Sequence, residues 1–373
     1  MAVLSRQKLR IVQVLPELNA GGVERGTVEF ARELVKAGHE SIVISSGGRQ
    51  VPKLESEGSR HITALVHKKS LASFFQIRPM RRLLADLKPD IVHVRSRMPA
   101  WIVWLAWRKM NPEIRPKLIS TFHGMYSVNA YSAIMAKSEH IISISDCVSD
   151  YIFRNYAVSP DKLTRIYRGL DRNSFSEGSN IDKWKDELFL KYPQFKSKKL
   201  ILMPGRLTRW KGQEAFLSMM NVLVGIDPRC HGIIVGEAES NKEHYLQELT
   251  VQCSRLGLDD KVTFVGHRSD INNFYSLSAV ACHMSNKAEP FGRTVTEALA
   301  SGVPVVAYDR GGASESLRAG FPEGLVAADD IAAFAHKVSA LLDSEANIQL
   351  PDEFYLDSQA RETLNVYYRA LES

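Results

Sequence analysis

Glu289-Pro-Phe-Gly-Arg-Thr-Val-Thr-Glu297-Ala-Leu-Ala-Ser-Gly-Val-Pro-Val-Val-Ala-Tyr308-Asp-Arg-Gly311-Gly312-Ala-Ser-Glu315 is the stretch that decides how the chain folds. Pro290 and Gly292 interrupt any regular element and leave Arg293 to Ala300 as a short helix, which Ser301-Gly302 ends before a buried strand up to Tyr308. A helix beginning there aims free amides outward, so Gly292 through Val295 offer a phosphate or a sugar hydroxyl a site that needs no charged side chain. Glu289 sits just ahead of that helix and Glu297 about one turn inside it, so both carboxylates reach one crevice. Their paired acceptors suit the adjacent hydroxyls of a ribose or hexose. Taken alone, such a pair describes equally well two solvated acids beside a surface helix.

Strand-like runs recur at 9–15, 40–46, 90–94, 117–122 and 140–144, and again at 200–203, 231–235, 261–265, 280–284 and 303–308. Apolar strands separated by amphipathic helical stretches are the mark of parallel sheets covered on both faces. A chain of 373 residues that is 45% hydrophobic can bury two ordinary cores. The expected fold class is therefore α/β, with two Rossmann-like doubly wound domains facing a central cleft. Polar residues around 177–182 place the division after Asp171, giving domains 1–173 and 174–352, and the final segment 353–373 has helical apolar spacing.

The strand ends carry the chemistry, since ligands of parallel sheets bind at the carboxyl edge. The first strand runs into Gly21-Gly22, a turn that lets backbone approach a ligand and equally fits a plain strand-to-helix turn. Strand 90–94 leads to Arg95 and Arg97, acceptor-side candidates, and strand 117–122 leads to His123-Gly124, where an imidazole can donate or accept. Arg206 and Lys211 share the short loop Gly205-Arg-Leu-Thr-Arg-Trp-Lys-Gly212 ahead of a helix. An Arg can grip a pyrophosphate bidentately and a Lys can meet it as a point charge, and cations at a helix start oppose its dipole unless an anion is present. Trp101, Trp104 and Trp107, followed by Arg108-Lys109, read either as a core stripe or as an interfacial belt. Neither a dinucleotide glycine fingerprint nor a P-loop is present.

Glu289-Pro-Phe-Gly, Glu297-Ala-Leu-Ala-Ser-Gly-Val-Pro-Val-Val-Ala, Gly311-Gly312 and Glu315 together resemble the Glu-x7-Glu signature of the family-4 retaining glycosyltransferases of the GT-B fold, the kind that build lipopolysaccharide core or surface polysaccharide. The resemblance implies an acceptor-side first domain, to which the C-terminal helix returns, and a second domain that binds a nucleotide-diphosphate sugar, with UDP favoured. It assigns Glu289 to the donor-sugar hydroxyls, Glu297 to the ribose, and the amides of Phe291, Gly292, Arg293 and Thr294 to sugar and diphosphate. It places Gly21 and Gly22 near donor phosphate, Gly236 at the pocket rim, and His267 and Arg268 near the base. His123, Arg206, Lys211 and Glu289 form the implied catalytic set. Three departures from the family pattern stand out: Arg293 where an aliphatic residue is usual, Tyr167-Arg168 in place of Pro-Asn, and Glu-Ala after Gly236. Arg168 is thereby a further candidate for an anionic acceptor group.

The net charge of +6 is unevenly spread, for residues 1–173 carry 27 Lys and Arg against 15 Asp and Glu, and the remainder 21 against 27. A basic first half suits an anionic glycolipid or glycan acceptor, an anionic membrane surface, or solubility alone. A basic nucleic-acid-binding protein is the non-enzyme alternative, and it leaves the acidic pair and the phosphate loop idle; a transferase making a soluble glycoside is the other. Asp-x-Asp and metal-spaced His and carboxylate clusters are missing, so the expectation is a metal-independent enzyme with no cofactor, its nucleotide sugar being a co-substrate. Four cysteines without Cys-x-x-Cys spacing and no apolar window of membrane-spanning length point to a cytoplasmic protein, peripheral on the inner membrane face if it meets the bilayer.

Overall fold

The apolar runs become two fully parallel sheets in the computed structural model, which describes residues 7–19, 21–68, 71–175, 181–238 and 244–372. Residues 1–169 with 355–373 form one compact unit, and 170–354 form a second. The polar residues 176–180, expected near the domain division, lie outside the described residues.

The first unit holds β1 (Arg10–Val14), β2 (Glu40–Ser45), β3 (Arg60–Thr63), β4 (Ile91–Val94), β5 (Lys117–Phe122), β6 (His140–Ser143) and β7 (Leu163–Arg165) in the order β3-β2-β1-β4-β5-β6-β7. Parallel neighbours need crossover connections that lie on the sheet's faces, which is why β1, β4 and β5 are buried almost end to end. Helix Leu356–Glu372 closes one face: Val366, Tyr367 and Ala370 join Ile11, Phe30, Ile91 and Ile119 in a single core. A fully buried side chain the size of Val366 contributes about 1.5–3 kcal/mol. The Tyr367 hydroxyl also bonds His93 Nδ1 at 2.6 Å, and His93 Nε2 meets Thr121 Oγ1 at 2.7 Å. Burial, with Arg95 adding to it, holds the His93 pKa well below the usual histidine value, so this saturated imidazole is neutral.

The second unit holds β8 (Lys199–Pro204), β9 (Cys230–Val235), β10 (Val262–Gly266), β11 (Val280–His283), β12 (Val305–Tyr308) and β13 (Leu325–Val326) in the order β10-β9-β8-β11-β12-β13. Its two faces bury separate cores, one around Phe216, Met220 and Phe334, the other around Phe274, Leu299 and Phe321. In both sheets the chain winds outward on one side and then crosses to the other. The crossing falls between β1 and β4 in the first unit and between β8 and β11 in the second, and the carboxyl-edge crevice at such a point is where open α/β sheets bind ligands.

Three strands escape the apolar-run reading. Both β3 and β7 are short and only partly buried, and β13 has two residues. Edge strands need no burial on both faces, so they leave no apolar run to find. The run at 303–308 yields a strand only from Val305, because Pro304 has no N–H; its carbonyl accepts from Ala281 N at 2.9 Å. On helix Arg97–Trp107, Trp107 is buried and donates to Pro116 O at 2.7 Å, Trp101 donates to Tyr131 O at 2.9 Å, and half-buried Trp104 lies 4.7 Å beneath the Arg108 guanidinium. No described helix is long and apolar enough to cross a membrane.

Candidate active site

The loops after β8 and β11 meet at the second unit's crossing point. Lys211 ends a single 3-10 turn, Arg209–Lys211, and its Nζ donates to Glu289 Oε1 at 2.7 Å. His283, the last residue of β11, bonds the same oxygen at 2.8 Å through Nε2, and the Ser285 hydroxyl donates to it as well. Glu289 is only 6% exposed. Burial pushes its carboxyl up, but His283 and Lys211 more than offset that and hold it well below the usual carboxylate range. An ionised carboxylate accepts only, so His283 Nε2 carries the proton in that bond. All three donors converge on Oε1, and among the described residues no protein donor reaches Oε2.

Helix Arg293–Ala300 begins one residue after Gly292, whose φ of 74° and ψ of 53° put it in the left-handed region, which glycine reaches without strain. A Cβ there would lie 2.4 Å from that of Ala313. Glu289 and Gly311 form a parallel bridge, and Gly312 N donates to Glu289 O at 2.7 Å, so the second glycine loop fixes the backbone that carries the carboxylate. Phe291 is buried beside Phe354, with ring centroids 6.4 Å apart, so its side chain anchors the loop and only its backbone is available to a ligand. Thr294 lies in the first turn. Arg293, the departure from the family pattern, donates to Glu297 Oε1 at 2.8 Å, and the Tyr275 hydroxyl donates to Oε2 at 3.1 Å.

Three further strand ends border this crevice. Arg206 follows β8 with its side chain exposed, and its carbonyl accepts from buried Gln213 Nε2 at 3.0 Å. Gly236 follows β9 so close to the β8 loop that a Cβ on it would fall 2.0 Å from Gly205 O. After β10, His267 is exposed, and the Arg268 guanidinium grips Asp270 at 2.8 and 2.5 Å and lies 5.2 Å over Phe274. The Arg268 side chain therefore fixes the loop whose main chain the resemblance places near the base.

In the first unit, Gly21 caps helix Gly22–Lys36, and Arg168 donates to Gly22 O. Arg95 and His123 reach a pocket along the carboxyl ends of β4 to β7 that Arg168 also lines. Arg97 lies 4.7 Å over Tyr126 and 3.2 Å from Ser132 Oγ, contacts that hold its guanidinium in place. Among the described residues no three His, Cys, Asp or Glu side chains gather as they would around a metal ion.

Residues 185–361 match the family described as Glycosyl transferases group 1, and residues 20–174 match Glycosyltransferase Family 4. The crystal structure of a glycosyltransferase from Rickettsia africae ESF-5 superposes with a TM-score of 0.86 at 30% identity, covering 98% of this chain and 99% of that one. The chain belongs to the family-4 glycosyltransferases of the GT-B fold. The lipopolysaccharide core biosynthesis mannosyltransferase LpsB of Rhizobium meliloti is 29% identical over 241 residues, which is 62% of this chain and 67% of that protein. HepE of Anabaena, solved with UDP-glucose, shares the fold with a TM-score of 0.75 at 19% identity, each chain being covered to 98%.

Two residues that shape this glycosyltransferase's site, His283 and Ser285, escaped the sequence reading. Their signal was available, because His283 ends the strand beside the crossing and the carboxyl-edge rule that picks out Arg95 and His123 applies to it equally.

Proposed function

We propose that this glycosyltransferase retains anomeric configuration and works without a metal, moving a hexose or N-acetylhexosamine from a UDP-sugar to a lipid-linked or phosphorylated glycan of lipopolysaccharide core or surface polysaccharide. The observation that carries the donor half is Glu289: three protein donors saturate Oε1, and Oε2 is left to accept from a sugar hydroxyl. Lys211 and Arg206 on the β8 loop, with the amides that open helix Arg293–Ala300, supply fixed positive charge for the diphosphate as it leaves. In the front-face route the bond from sugar to phosphate breaks as the acceptor oxygen bonds the same face, and the acceptor's proton passes to the departing phosphate. The likeness to LpsB supports the lipopolysaccharide assignment, and HepE with UDP-glucose supports the nucleotide.

The test is thermal stabilisation by UDP, GDP and ADP and their sugar conjugates in EDTA. One nucleotide at about 100 times its dissociation constant should stabilise the wild type by about 2.7 kcal/mol, while Glu297→Ala and Lys211→Ala do not respond. No response to any nucleotide, or turnover lost in EDTA and restored by magnesium, would refute the reading.

A peripheral position on an anionic membrane is part of the same proposal, and the surface that supports it is not the tryptophan helix. Phe75, 81% exposed, and exposed Phe74 precede helix Ile77–Leu87, whose Arg78, Arg81 and Arg82 all face solvent with no ion pair among the described residues. Each Arg near an anionic surface contributes about 1 kcal/mol. Phe75→Ser combined with Arg78→Gln should weaken binding to phosphatidylglycerol vesicles by at least about tenfold at an unchanged melting temperature; unchanged binding would remove this surface from the account.

A further inference from the structure

Arg95 presents a physical problem that the donor site does not solve. It is 3% exposed, its NH1 donates to Gln13 Oε1, and its Nε has no partner. Burial pushes its pKa down to about 10, still far above neutrality, so a charged guanidinium is buried in the first unit. Buried charges are normally paired, because removing an ion from water is costly. The pocket that Arg95 lines also contains His93, His123 and Arg168, and neither Asp nor Glu lines it. Glu29, on the helix beside it, is held by Arg25 at 2.8 Å.

The rest of the wall separates support from ligand contact. His93 is saturated by Tyr367 and Thr121 and offers nothing further. His123 has both ring nitrogens buried and unpartnered. Burial, then Arg95, Arg168 and His93 in turn, hold its pKa well below the usual value, so its imidazole is neutral, with one N–H to give. Arg168 lies over the first turn of helix Gly22–Lys36, where a Cβ on Gly22 would come within 3.0 Å of its NH1 and one on Gly26 within 3.2 Å of its NH2.

We infer that this pocket is an oxyanion subsite for a phosphate monoester or carboxylate on the acceptor, gripped by Arg95 and Arg168 and bonded by His123. The inference rests on the transferase reading above and narrows it: the acceptor carries an anionic group that the first unit binds. The only other source of such an oxyanion is the phosphate of the donor nucleotide.

Thermal melts of the full chain at constant ionic strength, with UDP, with inorganic phosphate and with both, test the inference on the wild type and Arg95→Met. UDP should raise both proteins equally. Phosphate added on top of saturating UDP, at ten times its dissociation constant, should raise the wild type by a further 2–4 °C or so and leave Arg95→Met unmoved. Without phosphate, Arg95→Met should melt at or above the wild type, since it exchanges an unpaired buried charge for an apolar chain of similar length. If Arg95→Met does not fold, Arg168→Gln, at a half-exposed position, carries the same comparison. A phosphate response that is absent, equal in the variant, or abolished by UDP overturns the acceptor subsite. Failure of UDP to stabilise either protein refutes the donor assignment instead, and phosphate alone on the two proteins then still decides the pocket.

Discussion

Glu289→Gln should lower transfer by about 10²- to 10³-fold, the loss that follows removal of one preorganised charge interaction, and should lower stability at the same time. The substitution leaves Lys211, at 16% side-chain exposure, without its counter-charge and His283, at 8%, without a carboxylate acceptor. Breaking a buried pair from one side costs about 3–5 kcal/mol because the remaining charge is stranded. The double variant Glu289→Gln with Lys211→Met should therefore recover much of the lost stability and none of the activity. Recovery of activity would show that the carboxylate serves the fold and not the donor sugar. The pH dependence has a definite sign. A carboxyl held below its unfolded pKa stabilises the fold above that value and loses the contribution as pH falls through the folded one. The stability gap between wild type and Glu289→Gln should be constant above about pH 5 and narrow below about pH 4.3; a gap that widens in acid would contradict the ionised state.

Gly212→Ala should be among the most damaging changes to folding in the second unit. Gly212 links Lys211 to helix Gln213–Ile226 at φ 85°, and a Cβ there would sit 1.9 Å from Met284 O. Neither strand end can retreat, because Asn286 N donates to Trp210 O at 3.0 Å and Phe216 N to Gly212 O at 2.9 Å. Left-handed strain adds about 1–2 kcal/mol, and the backbone clash brings the total to about 3–5 kcal/mol. One melting temperature is a poor gauge in a chain of two units, so hydrogen exchange is the better measure. Amides of β8 and helix Gln213–Ile226 should exchange roughly 10²- to 10³-fold faster, while those of β1 and β4 keep their rates. A change below about tenfold would mean that the β11 loop moves aside.

The buried strands and the loops at their carboxyl ends were legible because burial on both faces imposes long apolar runs, and Gly, Pro and charge then mark where each run stops. Helix Arg293–Ala300 has the bounds the sequence predicts, since Gly292 and Ser301-Gly302 punctuate it on both sides. Side-chain partnership was less legible. Nothing in the spacing of Arg268 and Asp270 distinguishes a guanidinium spent on its own loop from one free for a base, and nothing in the string ties His93 to Tyr367 across the chain. Such pairings depend on which strand ends the topology brings together, and residue order alone does not carry that.

Helix Leu356–Glu372 has a consequence for the order of assembly during synthesis. The second unit is continuous in sequence, so all its core residues have left the ribosome before this helix emerges. The first unit, although made first, lacks Val366, Tyr367 and Ala370 until the helix is translated, and until then Ile11, Ile91 and Phe30 have no cover on that face. Domains fold as units during synthesis, so the earlier sheet completes its core only after the second unit has emerged.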